Sequence, residues 1–284
     1  MRGLLFYFIL ILFSCSKKEN NSLFEPQQNV GSVGSKLREA SGLVASIANP
    51  GCLWSHNDGR NPAEIFLIDE KANVVMTCKL KNVFNRDWED ITIGSGPEKG
   101  INYLYVADIG DNDAVYSYKI LYRIREPEFN TEKIEIEKID KLVFELPDGP
   151  RDSEAIMIDP LTNYFYIITK REDSVGLYEI KPTTESDTLQ VEIVGKLPFT
   201  NIVAANISFD GSEVLLKTYR DIYYWKRIEN EPIPSLLKRK PIKINYEPEP
   251  QGEAIAWKLD GSGFYTISES PLWMGGNLFF YKRK

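Results

Sequence analysis

Short apolar runs alternate with turn residues along the chain from about residue 40 to its end. A recurring phrase, in which two small or acidic residues precede Ile or Leu, opens five of these runs. Runs of this length between turns are typical of β-strands, and no segment carries a sustained helical period. The pattern predicts an all-β protein built from repeats. The five copies are Ser41-Gly42-Leu43, Glu89-Asp90-Ile91, Glu154-Ala155-Ile156, Ala205-Asn206-Ile207 and Glu253-Ala254-Ile255, at spacings of 48, 65, 51 and 48 residues.

Each copy of the phrase is followed by a turn and by further strands. Four short strands in a period of about 45–50 residues are typical of β-propeller blades, whereas a sandwich does not restart the same phrase. We therefore predict a single propeller of five blades. Six blades stay open as an alternative, because the unit that starts at Glu89 is 65 residues long. The last unit ends after its third strand, so we expect an N-terminal strand, within residues 30–37, to close the ring.

The first fifteen residues have the form of an export signal. A basic start precedes the apolar run 4–13, which is too short to span a bilayer as a helix of roughly 20 residues. Leu12-Phe13-Ser14-Cys15 resembles the lipobox of bacterial lipoproteins, which implies cleavage before Cys15 and acylation of that residue. An ordinary signal peptide is the alternative. We expect a signal peptide over 1–14, a lipidated Cys15 and flexible tether over 15–35, and a propeller domain over 36–284.

The resemblance to a lipobox also implies a cellular location for the protein. Ser16 follows Cys15 directly, and this resembles the sorting signal for delivery to the outer membrane. We therefore expect a protein of the bacterial cell envelope, anchored to the membrane through the lipid on Cys15. The outer membrane is favoured, with the domain facing either the periplasm or the cell surface.

Composition narrows the chemistry. The 284 residues carry a formal charge of −7, which argues against a protein that binds nucleic acid. One His and three Cys exclude a zinc site of several His and a framework of disulfides. Cys52 and Cys78 fall on strands of the first repeat that are not neighbours, which disfavours a disulfide between them. Two Cys in an oxidising compartment keep that pairing open as the alternative. We also expect a monomer.

Propeller geometry brings the starts of the innermost strands and the ends of the second strands to one mouth of the channel. Three innermost strands begin with a glutamate: Glu89, Glu154 and Glu253. Carboxylates about 4 Å apart repel by roughly 4 kcal/mol at an effective dielectric of about 20. Protonation, pairing with Arg or Lys, or a bound cation would offset this. Oxygen ligands favour Ca²⁺, so two interpretations stay open: a Ca²⁺ site, or acids that only tie the blades together.

Polar residues at the ends of the second strands are predicted to bind a ligand at the same mouth. His56 is the only imidazole; without an identifiable Ser or Cys nucleophile beside it, a structural role fits it better than a role as general base. The mixture of acids and bases suits a small anionic ligand or a protein partner. The predicted ligand-binding residues are His56, Asn57, Asp58, Asp108, Asp111, Arg151, Lys170, Arg220 and Glu269.

Several of these phrases resemble those of a widespread group of secreted bacterial β-propeller proteins of unassigned function. They are Glu39-Ala40-Ser41-Gly42-Leu43, Leu53-Trp54-Ser55-His56-Asn57-Asp58, Asp87-Trp88-Glu89-Asp90-Ile91, Asp108-Ile109-Gly110-Asp111-Asn112 and Gly252-Glu253-Ala254-Ile255. The resemblance covers most of residues 38–284. It implies a secreted β-propeller. Together with the lipobox-like segment and the polar channel mouth, we expect a membrane-anchored, extracytoplasmic propeller that binds a ligand or partner at that mouth, with or without Ca²⁺.

A looser resemblance joins single blades to two calcium-dependent phosphohydrolases. Asp152-Ser153-Glu154-Ala155-Ile156, followed by a strand that ends in Thr169-Lys170, looks like a blade of β-propeller phytase. The five units with innermost strands that begin with Glu are similar to the calcium-activated apyrases. These resemblances imply a Ca²⁺-dependent phosphoester hydrolase as the alternative function. A lactonase-type metal hydrolase is a third, which the number of blades disfavours.

Overall fold

The structure is a computed structural model that describes residues 22–182, 189–269 and 276–284. These residues form five sheets arranged as the blades of a β-propeller, so the prediction of five blades is confirmed and the alternative of six is wrong. The chain begins with strand β1 (Gln28–Ser32) and a 3₁₀ turn (Ser35–Leu37). Each blade then runs from the channel outward, as an antiparallel set of neighbouring strands.

The strands of the first three blades follow one another along the chain, except that one strand, β9 (Lys133–Ile136), leaves its own blade and joins the sheet of another. Blade one contains β2 (Ala40–Ala45), β3 (Cys52–Asn57), β4 (Glu64–Asp69) and β5 (Val74–Leu80). Blade two contains β6 (Trp88–Ser95), β7 (Asn102–Asp108) and β8 (Lys119–Arg125), and after β9 it is completed by β10 (Asp140–Phe144). Blade three contains β11 (Ser153–Ile158), β12 (Phe165–Thr169), β13 (Val175–Ile180) and β14 (Val191–Leu197).

The last two blades complete the ring. Blade four contains β15 (Ile202–Ile207), β16 (Glu213–Thr218), β17 (Ile222–Lys226) and β18 (Ile242–Ile244), with the short helix α1 (Ile233–Lys238) before β18. Blade five contains β19 (Gly252–Trp257), β20 (Gly263–Ser268) and β21 (Asn277–Lys282), with β1 as its outer strand. None of the described helices has the length and apolarity needed to cross a membrane.

The long repeat that starts at Glu89 does not hide another blade. Its extra residues form β9, which leaves blade two and pairs in parallel with β5 of blade one, from Thr77 opposite Lys133 to Leu80 opposite Ile136. Blade one is therefore five-stranded. Ile134 and Ile136 pack against the core between blades one and two, while Lys133 and Glu135 are exposed.

The N-terminal strand closes the ring, as the short last repeat predicts. β1 pairs antiparallel with β21, from Gln28 opposite Phe280 to Ser32 opposite Asn277. The strand lies a few residues before the expected segment 30–37, and Phe24 is 1 % exposed in the core. The tether expected to reach residue 35 is therefore too long, because the described chain already packs on the fold at Phe24.

Neighbouring blades share apolar cores. Trp54 and Trp88 belong to the core between blades one and two. Phe24, Trp257 and Phe264 belong to the core between blades four and five, and the rings of Phe24 and Phe264 meet edge to face at 4.9 Å. Burial of these large side chains on the sheet faces holds each blade against the next. Cys52 and Cys78 are both free, as expected from their separate strands.

Candidate metal and ligand site

A β-bulge interrupts every innermost strand close to its start. In blades two, three and five the extra residue is a glutamate, because the pairing skips Glu89, Glu154 and Glu253. In blade four it skips Val203, and in blade one the pair Ser41-Gly42 faces a single residue of β3. A bulge re-aims a side chain that regular pairing would place on a sheet face. The bulges thus direct three glutamates to the same mouth of the channel.

Seven carboxylates form one continuous group at this mouth, which we call the acidic cluster. Its members are Asp58, Asp87, Glu89, Asp152, Glu154, Glu253 and Glu269. They fall into three overlapping triads, and in each triad one oxygen per residue lies within 4.8 Å of the others. Asp58 joins two of the triads, and Glu89 joins one of these to the third. Carboxyl oxygens at such spacing are the ligands that a hard divalent cation prefers.

The triad of Glu89, Asp152 and Glu154 already has positive partners. Lys170 Nζ lies 2.7 Å from Glu154 Oε1, and Arg171 Nε lies 2.5 Å from Asp152 Oδ2. One oxygen of Glu89 lies within 4.8 Å of an oxygen of Glu154. Burial and the neighbouring charge of Glu154 raise the pKa of Glu89 well above its ordinary value. Lys170 and Arg171 therefore already offset part of the negative charge of this triad.

The triad of Asp58, Glu253 and Glu269 has less compensation. Tyr219 donates a hydrogen bond of 2.5 Å to Glu253 Oε1, and the backbone N–H of Gly59 donates to Asp58 Oδ1. Burial, with the charges of Glu253 and Asp87, raises the pKa of Asp58 to about 7. Burial and the charges of Glu253 and Asp58 raise the pKa of Glu269 to about 8. Burial and the neighbouring carboxylates outweigh the charge of Lys170 at Asp58, so the pKa of Asp58 stays raised.

Two glycines make room for the acids of blade two. A Cβ added at Gly110 would lie 2.0 Å from Glu89 Oε1 and 2.6 Å from Asp87 Oδ2. A Cβ added at Gly59 would lie 2.4 Å from Asp87 Oδ1. Any larger residue at either position would displace a carboxyl group of the acidic cluster. The loops after β3 and β7 are thus shaped around Asp87 and Glu89.

His56 and Asn57 lie beneath the mouth and belong to the framework. The His56 ring is fully buried, with its Nδ1 3.0 Å from the Asn57 carbonyl oxygen and its plane nearly perpendicular to the Trp88 ring, at a centroid distance of 5.6 Å. Burial lowers the pKa of His56 to about 4, so the ring is neutral. The Asn57 side chain bridges two backbone groups, as it donates to Lys36 O at 2.8 Å and accepts from Glu39 N at 3.0 Å.

Asp108 and Asp111 lie in blade two beside the acidic cluster and have internal partners. Arg86 Nε lies 3.0 Å from Asp108 Oδ1. Lys119 Nζ lies 3.2 Å from Asp111 Oδ2, and both members of this pair are buried. Asp111 also accepts hydrogen bonds from the backbone of Val115 and Tyr116. These two carboxylates hold the loop that borders the mouth.

Arg151 and Arg220 form no ion pair with the acidic cluster within the described residues. Arg151 makes ion pairs with Asp148 at 2.7 Å and Glu172 at 3.0 Å, neither of which belongs to the acidic cluster. Arg220 is exposed on the turn after β16, where its backbone N–H donates to Thr218 Oγ1. Of the predicted ligand-binding residues, the structure therefore brings Asp58, Lys170 and Glu269 together with the three predicted metal ligands.

Two members of the acidic cluster are missing from the set predicted by sequence. Asp87 and Asp152 each precede a bulged glutamate by two residues, and both follow an arginine in an Arg-Asp pair. The Arg-Asp pair recurs at the same point of two blades, and this repetition could have identified both acids from the sequence. Asp90 is a further buried acid at the channel, where its carboxylate accepts backbone hydrogen bonds from Ile91 at 2.8 Å and from Ile156 of the next blade at 3.0 Å.

The opposite mouth of the channel has a different character. A cavity of about 290 Å³ opens there, with residues from all five blades in its wall, including Ile158, Asn206, Phe209 and Trp257. None of its described lining residues is acidic. The concentration of carboxylates is therefore a property of one mouth.

Comparison with known proteins assigns no family to the chain. No protein-family model and no curated protein matches it. The five-bladed propeller and the geometry of the acidic cluster are the observations from which its function must be argued.

Proposed function

We propose that this protein is a lipid-anchored, extracytoplasmic β-propeller of the bacterial cell envelope that binds a ligand at the acidic mouth of its channel together with Ca²⁺. One observation carries the proposal: three overlapping carboxylate triads meet at Asp58 and Glu89, and close ion pairs within the described residues reach only the triad that contains Glu154. A cation would relieve the repulsion among these acids, and its open coordination positions would hold an anionic ligand.

The triad of Asp58, Glu253 and Glu269 is the favoured cation site. It comes from blades one and five, and Tyr219 of blade four supports it from one side. We favour this triad over the sequence-based set of Glu89, Glu154 and Glu253, because Glu154 already forms an ion pair with Lys170. Asp87 and Glu89, which form the neighbouring triad with Asp58, would complete the oxygen shell or hold a second ion.

A Ca²⁺-dependent phosphoester hydrolase is the second candidate. Lys170 lies among the same carboxylates, and its contact with Glu154 raises its pKa, so it stays protonated. A phosphate bound to the cation would meet this second positive charge. A metal-bound water would be the nucleophile in such a reaction. The test is release of phosphate from phytate and from nucleotides in the presence of Ca²⁺.

The location within the cell envelope rests on the lipobox-like segment that ends in Cys15, which lies outside the described residues. Acylation of Cys15 would place the propeller close to a membrane surface. Expression of the full chain in a bacterial host with a labelled fatty acid should label the protein. Cys15→Ser should abolish the label, and retention of the label in this variant would contradict the proposed anchor.

Calcium binding is testable by thermal unfolding of the full chain in detergent. We expect Ca²⁺ to raise the melting temperature relative to chelator by several degrees, because an ion that binds only the folded state stabilises it. Glu253→Gln should remove most of this shift. Glu249→Gln is the matched control, because Glu249 is equally buried near blade five but belongs to no triad. A melting temperature that does not respond to Ca²⁺ would refute the proposed cation site.

A further inference from the structure

A cavity of about 300 Å³ adjoins the acidic cluster. Asp58 and Asp87 belong both to its wall and to the cluster, so the cavity and the favoured cation site are continuous. One water takes up about 30 Å³ in the liquid. The cavity is therefore larger than a hydrated ion requires, and it has room for a small organic ligand. The other walls come from the turn after β3 and from the loop between β7 and β8.

The loop between β7 and β8 presents apolar side chains to this cavity. Val115 is 65 % exposed and Tyr116 is 39 % exposed, and both line the wall. The loop is held from beneath, because the buried Asp111 accepts hydrogen bonds from the backbone N–H groups of Val115 (2.8 Å) and Tyr116 (2.9 Å) and pairs with Lys119. An exposed tyrosine on a fixed loop, beside a polar cavity, is typical of a recognition surface.

Two arginines with different surroundings, Arg60 and Arg86, share the wall of the cavity with four carboxylates. These are Asp58, Asp87, Asp111 and Asp113. Arg86 is bound to Asp108, and its guanidinium carbon lies 4.3 Å from the centre of the Tyr116 ring. Arg60 is exposed, and its charge acts on the nearby Asp87 carboxylate, although Arg60 forms no close ion pair within the described residues. Its φ of 66° is a left-handed conformation that costs energy for a residue with a side chain. A guanidinium that forms no close ion pair within the described residues thus lies in the same wall as Asp58 and Asp87 of the acidic cluster.

We propose that this cavity is the ligand subsite of the acidic mouth and that it takes a small oxyanion, either phosphate or carboxylate, carried on a flat apolar group. The proposal rests on the proposed function, because a cation at Asp58 is needed to make this wall attractive to an anion. One oxygen of the ligand binds the cation and another binds the Arg60 guanidinium. The flat group packs against the ring of Tyr116.

The test is calorimetric titration of the full chain, in detergent and with Ca²⁺, with phenyl phosphate, phenylacetate and inorganic phosphate. Phenyl phosphate should bind more tightly than inorganic phosphate, and phenylacetate tests carboxylate as the source of the anion. Tyr116→Ala should weaken binding of both phenyl ligands by about tenfold and leave inorganic phosphate unchanged. Tyr118→Ala is the matched control, since Tyr118 also packs on Arg86 but does not line the cavity.

The second variant separates ligand contact from folding. Arg60→Gly should weaken binding of phenyl phosphate and of inorganic phosphate by about tenfold or more, while it raises the melting temperature because the strain is relieved. Arg60→Gln should weaken binding equally without the gain in stability. Arg125→Gln, an exposed arginine in β8, should change neither property.

The outcomes distinguish this inference from the proposed function. If Ca²⁺ raises the melting temperature but neither phenyl ligand binds, or if both bind the Tyr116 and Arg60 variants unchanged, the subsite is refuted and the cation site stands. If Ca²⁺ has no effect and no ligand binds, both proposals are refuted. If phenyl phosphate binds equally in chelator, the subsite stands and its dependence on the cation is wrong.

Discussion

Asp58 and Glu269 keep their protons up to a higher pH than ordinary surface carboxyl groups do. Burial and mutual repulsion raise their pKa values to about 7 and about 8, and burial raises that of Glu154 to about 8. Each group therefore holds a proton at a pH where a free carboxylate has lost it. Because a divalent cation binds the ionised form, it must compete with these protons. Ion binding and pH are thus linked through the same few residues.

This linkage predicts a pH dependence with a definite sign. A carboxyl group whose pKa is higher in the folded chain contributes stability that is complete below its unfolded value, about 4, and that is lost as the pH rises through 7 and 8. In chelator, the melting temperature should therefore fall between pH 5 and pH 9, by about 5 °C or more. With Ca²⁺ the fall should be much smaller, because the ion replaces the lost protons. A steeper fall with Ca²⁺ than with chelator would contradict this account.

Sequence predicts a residue at the channel mouth best where the residue occupies a fixed place in the repeat, at the start or the end of a strand. Glu253 and Glu269 follow from the start of one strand and the end of the next, and the structure places both at the mouth. Arg151 and Arg220 satisfy the same rule, yet Arg151 turns to Asp148 and Glu172 instead. A strand end defines where a backbone is, whereas a long side chain follows the nearest opposite charge.

At the scale of the strands, the repeated phrase proves to mark the bulges. The glutamate in each acidic copy is the residue that the pairing skips, as at Glu154 and Glu253. Sequence shows that an acid recurs at the start of an apolar strand, which otherwise is an unfavourable place for a charge. The bulge that makes it favourable depends on the pairing of two strands, so only the structure reveals it.

The strand β9 shows where local pattern is insufficient. Its sequence Lys133-Ile134-Glu135-Ile136 alternates in the manner of a half-buried strand, yet the many charges around it suggest a solvated edge. Both features are real, because the isoleucines pack inward and the charged residues face solvent. The partner of β9 is β5, about 55 residues earlier and in another blade. Alternation predicts a strand, but it carries no information about the sheet that receives it.

At the scale of the whole molecule, closure of the ring decides whether the acidic mouth exists. The favoured cation site takes Asp58 from blade one and Glu253 and Glu269 from blade five, so it lies across the seam between the first and last repeats. The seam is held by β1, which comes from the N-terminus and pairs with the C-terminal β21. Any change that loosens this pairing should weaken cation binding as well as folding.

Phe24 offers the sharpest test of this closure. Its ring packs on Phe264, Trp257 and Tyr224 with centroid distances of 4.9, 6.0 and 6.2 Å. Phe24→Ala should cost about 3–5 kcal/mol of the free energy of unfolding, through lost burial and the cavity that remains. That corresponds to a fall in melting temperature of about 10 °C. Phe24→Leu should recover most of it.

The control for this variant is Gln28→Ala, an exposed position of β1, which should change the melting temperature little. Hydrogen exchange then separates two explanations of a large effect. If the N-terminal strand closes the ring, Phe24→Ala should speed exchange of the β21 amides bonded to β1, and it should reduce the Ca²⁺-induced shift as the seam opens. If β21 remains protected and the Ca²⁺ shift is intact, Phe24 merely fills space between blades four and five. The two ends of the chain would then hold the ring without its help.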